Sequence, residues 1–164
     1  MLLLLTLALL GSTSSLPRKF YGSTCGTYFC TTSSSGDDLK GLRISRNAVG
    51  RLLNIQAKYG NCWGPMYGVR GGNSLQFELW SDEFITSIQG SSLVNVRNVI
   101  VTTDEGRNYW FGKTVGEEFS DFPYKRGQVL KGICGFYDLA GIKNLGFEWG
   151  DPQVNSTNTQ CYNQ

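Results

Sequence analysis

The chain contains no histidine, and that absence excludes more chemistry than any single residue suggests. Ser-His-Asp and Cys-His nucleophile pairs cannot be built, and a catalytic zinc site of the usual composition loses its commonest ligand. Charge is sparse too, at 17% Asp, Glu, Lys and Arg with a net of +2, which is too small to argue for nucleic acid as a partner. After the first ten residues there is no long apolar run, so no membrane insertion is expected. No segment of useful length carries a 3.6-residue apolar period, which argues against packed helices. Paired acids do occur at Asp37-Asp38, Asp82-Glu83, Asp104-Glu105 and Glu117-Glu118. Adjacent strand residues point to opposite faces, however, and these pairs coincide with turn signals, so they read as solvated turns rather than the two carboxylates of a glycosidase. We therefore expect no enzyme, no catalytic residue, no metal and no cofactor.

What the chain does have is glycine, 21 of them, punctuating short alternating segments. LKGLRIS (residues 39–45) and LLNIQAKYG (52–60) read as half-buried strands, with Leu53, Ile55, Ala57 and Tyr59 on one face of the second. LQFEL and EFITSIQG predict a strand pair. VRNVIVTT, closed by Asp104-Glu105-Gly106 before RNYWFG, is the clearest hairpin signal. Gly112 to Arg126 reads as loop, anchored by Phe119, Phe122 and Tyr124. The final stretch, VLKGICGFYDLAGIKNLGFEW (129–149), predicts a hairpin with a loop from Cys134 to Gly141 and a large apolar face ending in Phe147 and Trp149. Trp63, Trp80, Trp110 and Trp149 fit core or sheet-surface positions better than binding platforms. The pattern implies one all-β domain, as a sandwich, barrel or prism.

The apolar run Leu2 to Leu10, followed by Gly-Ser-Thr-Ser-Ser, has the form of a signal peptide over residues 1–16, which implies secretion. A single domain over 17–150 and a polar tail over 151–164 follow, the tail being loosely ordered unless Cys161 is bridged. Cys25, Cys30, Cys62, Cys134 and Cys161 allow up to two bridges and one odd thiol, and the pairing stays open at this level. Asn155-Ser156-Thr157 is a glycosylation sequon. Between Asp38 and Glu78 the chain has six cationic residues and no acid. From that block Lys40, Arg43 and Arg46, with Lys131 further on, form a candidate patch for anionic ligands, set against a plain reading as solvated strand exteriors.

Taken in order, LKGLRIS, LLNIQAKYG, GGNSLQFELWSDEFITSIQG, VRNVIVTTDEGRNYWFG and VLKGICGFYDLAGIKNLGFEW resemble the jacalin-related lectins, within them the secreted mammalian branch of zymogen-granule and salivary type. The resemblance covers roughly residues 20–149. It implies a β-prism of three four-stranded Greek-key sheets, release through secretory granules into mucosal or salivary secretions, and glycans of mucins or microbial surfaces as partners. It also implies a sugar pocket at one end of the prism. An N-terminal glycine loop, here Tyr21 to Gly26, corresponds to the family's glycine pair at Cys25 and Gly26. The final hairpin supplies Gly135, Phe136, Tyr137 and Asp138, with Phe136 and Tyr137 as candidate stacking planes. The family's acceptor aspartate, three residues before the terminal-strand glycine, falls on Lys143 before Gly146. A lysine donates but cannot accept, so the expected ligands shift. The readings are anionic sugars drawn by Lys143, a neutral sugar held by Asp138 as a displaced acceptor, or a prism that has lost sugar and acts through protein contacts or granule packing. The resemblance further places Cys25 and Cys134 across the pocket, close enough for a bridge.

Overall fold

The alternating segments become twelve strands in three sheets. The computed structural model describes residues 17, 19–154 and 161; the signal segment expected over 1–16 and the sequon at Asn155 lie outside the described residues. The strands are β1 (Tyr21–Gly22), β2 (Thr27–Thr31), β3 (Leu39–Arg46), β4 (Leu52–Tyr59), β5 (Cys62–Gly68), β6 (Asn73–Glu78), β7 (Ile85–Ser92), β8 (Val96–Thr103), β9 (Asn108–Gly112), β10 (Glu117–Asp121), β11 (Val129–Asp138) and β12 (Gly141–Gly150). They pair in the orders β5-β4-β3-β6, β9-β8-β7-β10 and β1-β12-β11-β2. The first two strands flank the last hairpin, so the two ends of the domain close the third sheet.

The three sheets are copies of one plan, and their irregularities repeat. Each central hairpin carries an extra residue near its base: Lys40 on β3, Thr86 on β7 and Lys131 on β11. Each carries a second near its tip: Leu53 on β4, Arg97 on β8 and Lys143 on β12. Such bulges sharpen local twist, which lets three flat hairpins curve around a common axis. Two residues beyond each basal bulge stand Leu42, Ile88 and Ile133, at most 1% exposed, and opposite them Ala57, Val101 and Phe147. Period-2 alternation carries these side chains to the axis, and burial of each large one contributes about 1.5–3 kcal/mol. The three tips meet at one end. Arg97 Nη2 donates to the Val49 carbonyl at 3.3 Å, and a Cβ on Gly141 would lie 2.3 Å from the Leu52 carbonyl oxygen.

Several expectations are corrected. The final loop is much shorter than Cys134 to Gly141. β11 runs on to Asp138, leaving Leu139 and Ala140 as the turn. LQFEL and EFITSIQG are not partners, since β6 pairs with β3 and β7 with β8 and β10. The loop read over 112–126 holds β10, in which Phe119 is buried while Phe122, beyond its end, is 54% exposed. Gly60-Asn61 and Gly64-Pro65, which read in sequence as turn punctuation, adjoin and lie within β5, an edge strand that tolerates Pro65 because an edge leaves amides unpaired. The bridges are Cys30–Cys134, between neighbouring strands β2 and β11, and Cys62–Cys161. Cys25 is exposed and free, so the Cys25–Cys134 pairing is wrong. Cys134 sits at mid-strand, a position from which it faces its β2 neighbour rather than the prism end.

Candidate functional site

The mouth that the resemblance implies would lie at the tip end of the third sheet, between the loop from Gly22 to Gly26 and the turn joining β11 to β12. Gly22 and Gly26 both have positive φ, 111° and 118°, and both press on that hairpin. A Cβ on Gly22 would come 2.4 Å from the Lys143 carbonyl oxygen, and one on Gly26 would come 2.4 Å from that of Tyr137. Only glycine permits both the dihedral and the approach. The other sheets use the same device: Gly68 and Gly72 stand against Leu53 and Arg46, Gly112 and Gly116 against Arg97 and Ser92. The spacing G-x-x-x-G therefore recurs as GSTCG, GVRGG and GKTVG, an internal repeat that sequence reasoning could have found and did not.

Lys143 is the bulged residue here, and it is only 8% exposed. Its Nζ lies 3.4 Å from Asp138 Oδ2, while Asp138 Oδ1 accepts from the Ala140 amide at 2.8 Å. The two residues singled out for opposite reasons thus form one donor–acceptor pair at the mouth. An ammonium has three protons, so Lys143 keeps donors beyond the one aimed at Asp138. Each carboxylate oxygen retains further acceptor capacity, and the Asp138 side chain is 40% exposed.

The remaining candidates divide. Gly26, Tyr137, Asp138 and Lys143 come together. Cys25 is exposed in the adjoining loop. Tyr137 leans on Phe29 at 6.1 Å and packs against the core. Phe136 turns away from the mouth into an edge-on cluster with Phe20 and Tyr28, at 6.1 and 5.3 Å. Gly135 is a strand residue opposite Leu145 and Phe29, without the unusual dihedral expected of a loop glycine, yet a Cβ there would stand 2.2 Å from the Asn144 carbonyl oxygen. Asn144 was not anticipated. It is fully buried behind Gly22, its Oδ1 accepts from the Phe136 amide at 2.9 Å, and its Nδ2 has no partner among the described residues. Its counterparts Asn54 and Asn98 spend their amide donors on the Val69 and Phe111 carbonyls.

The proposed cationic patch is not one surface. Lys40 and Arg46 stand at opposite ends of β3. Arg43, between them, bonds Gln76 and Gln56 and stacks on Trp63 at 4.3 Å. Lys131 belongs to another sheet and is held by Asp38 at 2.6 Å. Recesses of about 470 and 260 Å³ do open at the base end, divided by Phe84 and Pro152, but of the site candidates only Lys40 lines either. A carboxylate of Glu148 lies near the sulfurs of Cys30 and Cys134, but the bridge takes up both thiols and leaves no thiolate pair for a metal.

Residues 19–148 match the family described as "Jacalin-like lectin domain". The chain is 30% identical to the mouse (Mus musculus) "Prostatic spermine-binding protein" over 99% of this chain and 81% of that protein. It is 30% identical to human (Homo sapiens) "Zymogen granule membrane protein 16" over 79% of this chain and 77% of that one. The crystal structure of "a prostate-specific WGA16 glycoprotein lectin" superposes with a TM-score of 0.76 at 35% identity, covering 81% of this chain and 96% of its own.

Proposed function

Since the chain belongs to the jacalin-like lectin family, we propose that it is a secreted, non-enzymatic carbohydrate-binding protein whose mouth favours anionic glycans of mucins or microbial surfaces. The observation that carries this reading is Lys143, which points an ammonium where the resemblance expects an accepting carboxylate. A sulfate or sialic carboxylate can take the protons that Asp138 leaves free, as charge-assisted bonds stronger than those to a neutral hydroxyl. Secretion rests on the apolar segment at Leu2 to Leu10 and on two bridges that need an oxidising compartment. The polyamine that gives the mouse relative its description is not carried over, because the one carboxylate identified at the mouth, Asp138, is already paired.

A glycan array run with the wild type and with Lys143→Asp tests the reading. Signal on sulfated or sialylated glycans that the variant loses supports it; signal on neutral mannose-type glycans alone in the wild type overturns it. One observation favours a second reading, a prism without sugar acting through protein contacts or granule packing: Lys143 and Ala140 already engage both oxygens of Asp138. Silence of both proteins, with native circular dichroism, would select that reading.

A further inference from the structure

We propose that the tip end of the prism docks peripherally on an anionic lipid bilayer, with Val49, Val94 and Leu139 entering the headgroup layer. This goes beyond glycan recognition, since no sugar is required. All three central hairpins expose an aliphatic side chain at their turns. Val49 is 68% exposed, Leu93 and Val94 are 58% and 67%, and Leu139 is 97%. The turns share one end of the molecule, where Arg97 bonds the Val49 carbonyl and Gly141 abuts Leu52. One amide of each turn is satisfied within it: Gly50 N donates to Asn47 O, Leu93 N to Asn95 O, and Ala140 N to Asp138 Oδ1. The remaining turn amides keep polar partners in the hydrated headgroup layer, which is as deep as the aliphatic points need to reach.

Cations surround these points. Arg46 and Arg51 flank the first turn, Arg97 follows the second, and Lys113 lies 3.9 Å from where a Cβ on Gly50 would be. None of the four makes an ion pair among the described residues, where the pairs are Lys58–Glu78, Arg107–Glu83, Lys131–Asp38 and Lys143–Asp138. Against them stand Asp138, matched by Lys143, and the exposed Glu117 and Glu118 at the start of β10, so the cations keep the majority at this end. Separate aliphatic points with a cationic surround fit a plane that is fluid, apolar beneath and anionic above. A glycan offers little to Val or Leu, which have neither a polar atom nor a flat ring, and a folded partner would call for one contiguous apolar patch.

The test is co-sedimentation of the full chain with vesicles of phosphatidylcholine alone or with added phosphatidylserine, both free of glycolipid, so that failure here is separate from failure on the glycan array. Binding to the serine-containing vesicles is expected, weakening as salt rises. The combined Val49→Ser, Val94→Ser and Leu139→Ser variant, with native circular dichroism, should bind at least about tenfold more weakly. Lys113→Gln should lessen the preference for the anionic vesicles. Equal binding to both vesicle types would overturn the proposal, as would a tip variant that binds like the wild type. So would wild-type self-association without lipid that the tip variant loses, which would make a second copy the occupant.

Discussion

Gly22 lies directly against the carbonyl of Lys143, so close that a Cβ would stand 2.4 Å from its oxygen. The mouth is thus shaped by backbone contact as much as by side chains. Gly22→Ala must strain φ at 111° and push β1 off β12, and should cost about 2–3 kcal/mol. Gly106→Ala, where φ is also positive at 74° but nothing lies within 4 Å, should cost only about 1 kcal/mol. Urea midpoints of the two variants compare them, and equal losses would show that the close approach is not rigid.

The bridges make a second prediction. Cys62–Cys161 spans 99 residues and Cys30–Cys134 spans 104. Loops of that length restrict the unfolded chain by up to about 4–5 kcal/mol on the entropic account. Cys62→Ser and Cys30→Ser should each lower stability by about 2–4 kcal/mol, while Cys25→Ser, at an exposed free thiol, should leave it unchanged. Non-reducing peptide mapping checks the pairing directly, and recovery of a peptide joining Cys25 to another cysteine would contradict it.

These cysteines show where sequence reasoning reached and where it stopped. The alternation around Leu42, Ile55, Val99 and Phe147 was legible because half-buried strands write their faces at period 2. Bridge partners were not, because β2 precedes β11 by about a hundred residues and only sheet register sets Cys30 beside Cys134. Asp138 and Lys143 were each named as candidates, yet their pairing depends on the bulge that makes Lys143 an extra residue of β12. Gly135 and Phe136 read as loop because a strand extending to Asp138 looks, in sequence, like a loop rich in glycine and aromatics.

Two tyrosines predict an alkaline limit. Burial raises the Tyr59 hydroxyl above its ordinary value of 10.0, with the Glu148 charge adding to the shift and the Thr31 bond opposing it. Tyr21 is raised first by burial, then by its 2.8 Å bond to Asp121 and that carboxylate's charge. A folded value above the unfolded one means the contribution is complete below about pH 10 and fades as pH climbs through the raised values. Thermal midpoints should hold steady up to about pH 10 and fall above it, and Tyr59→Phe should flatten part of that decline. A wild-type midpoint that stays level well above pH 10 would refute the assignment.

Glu83 supplies the last prediction. It is fully buried, and its carboxylate takes bonds from the Trp80 amide at 2.8 Å, Thr103 Oγ1 at 2.6 Å and Arg107 Nη1 at 2.9 Å. Arg107 in turn stacks on Trp80 and Tyr109, at 4.3 and 5.1 Å, which holds the exposed Trp80 ring in place. Arg107→Met keeps much of the stacking volume but leaves a buried charge without its counter-ion, and should cost about 3–5 kcal/mol. In Arg107→Met with Glu83→Gln, the charge is gone along with its partner, and much of that loss should return. A double-mutant cycle from urea unfolding separates the terms. If Arg107→Met alone costs under about 1 kcal/mol, water reaches Glu83 and the pair behaves as a surface contact instead.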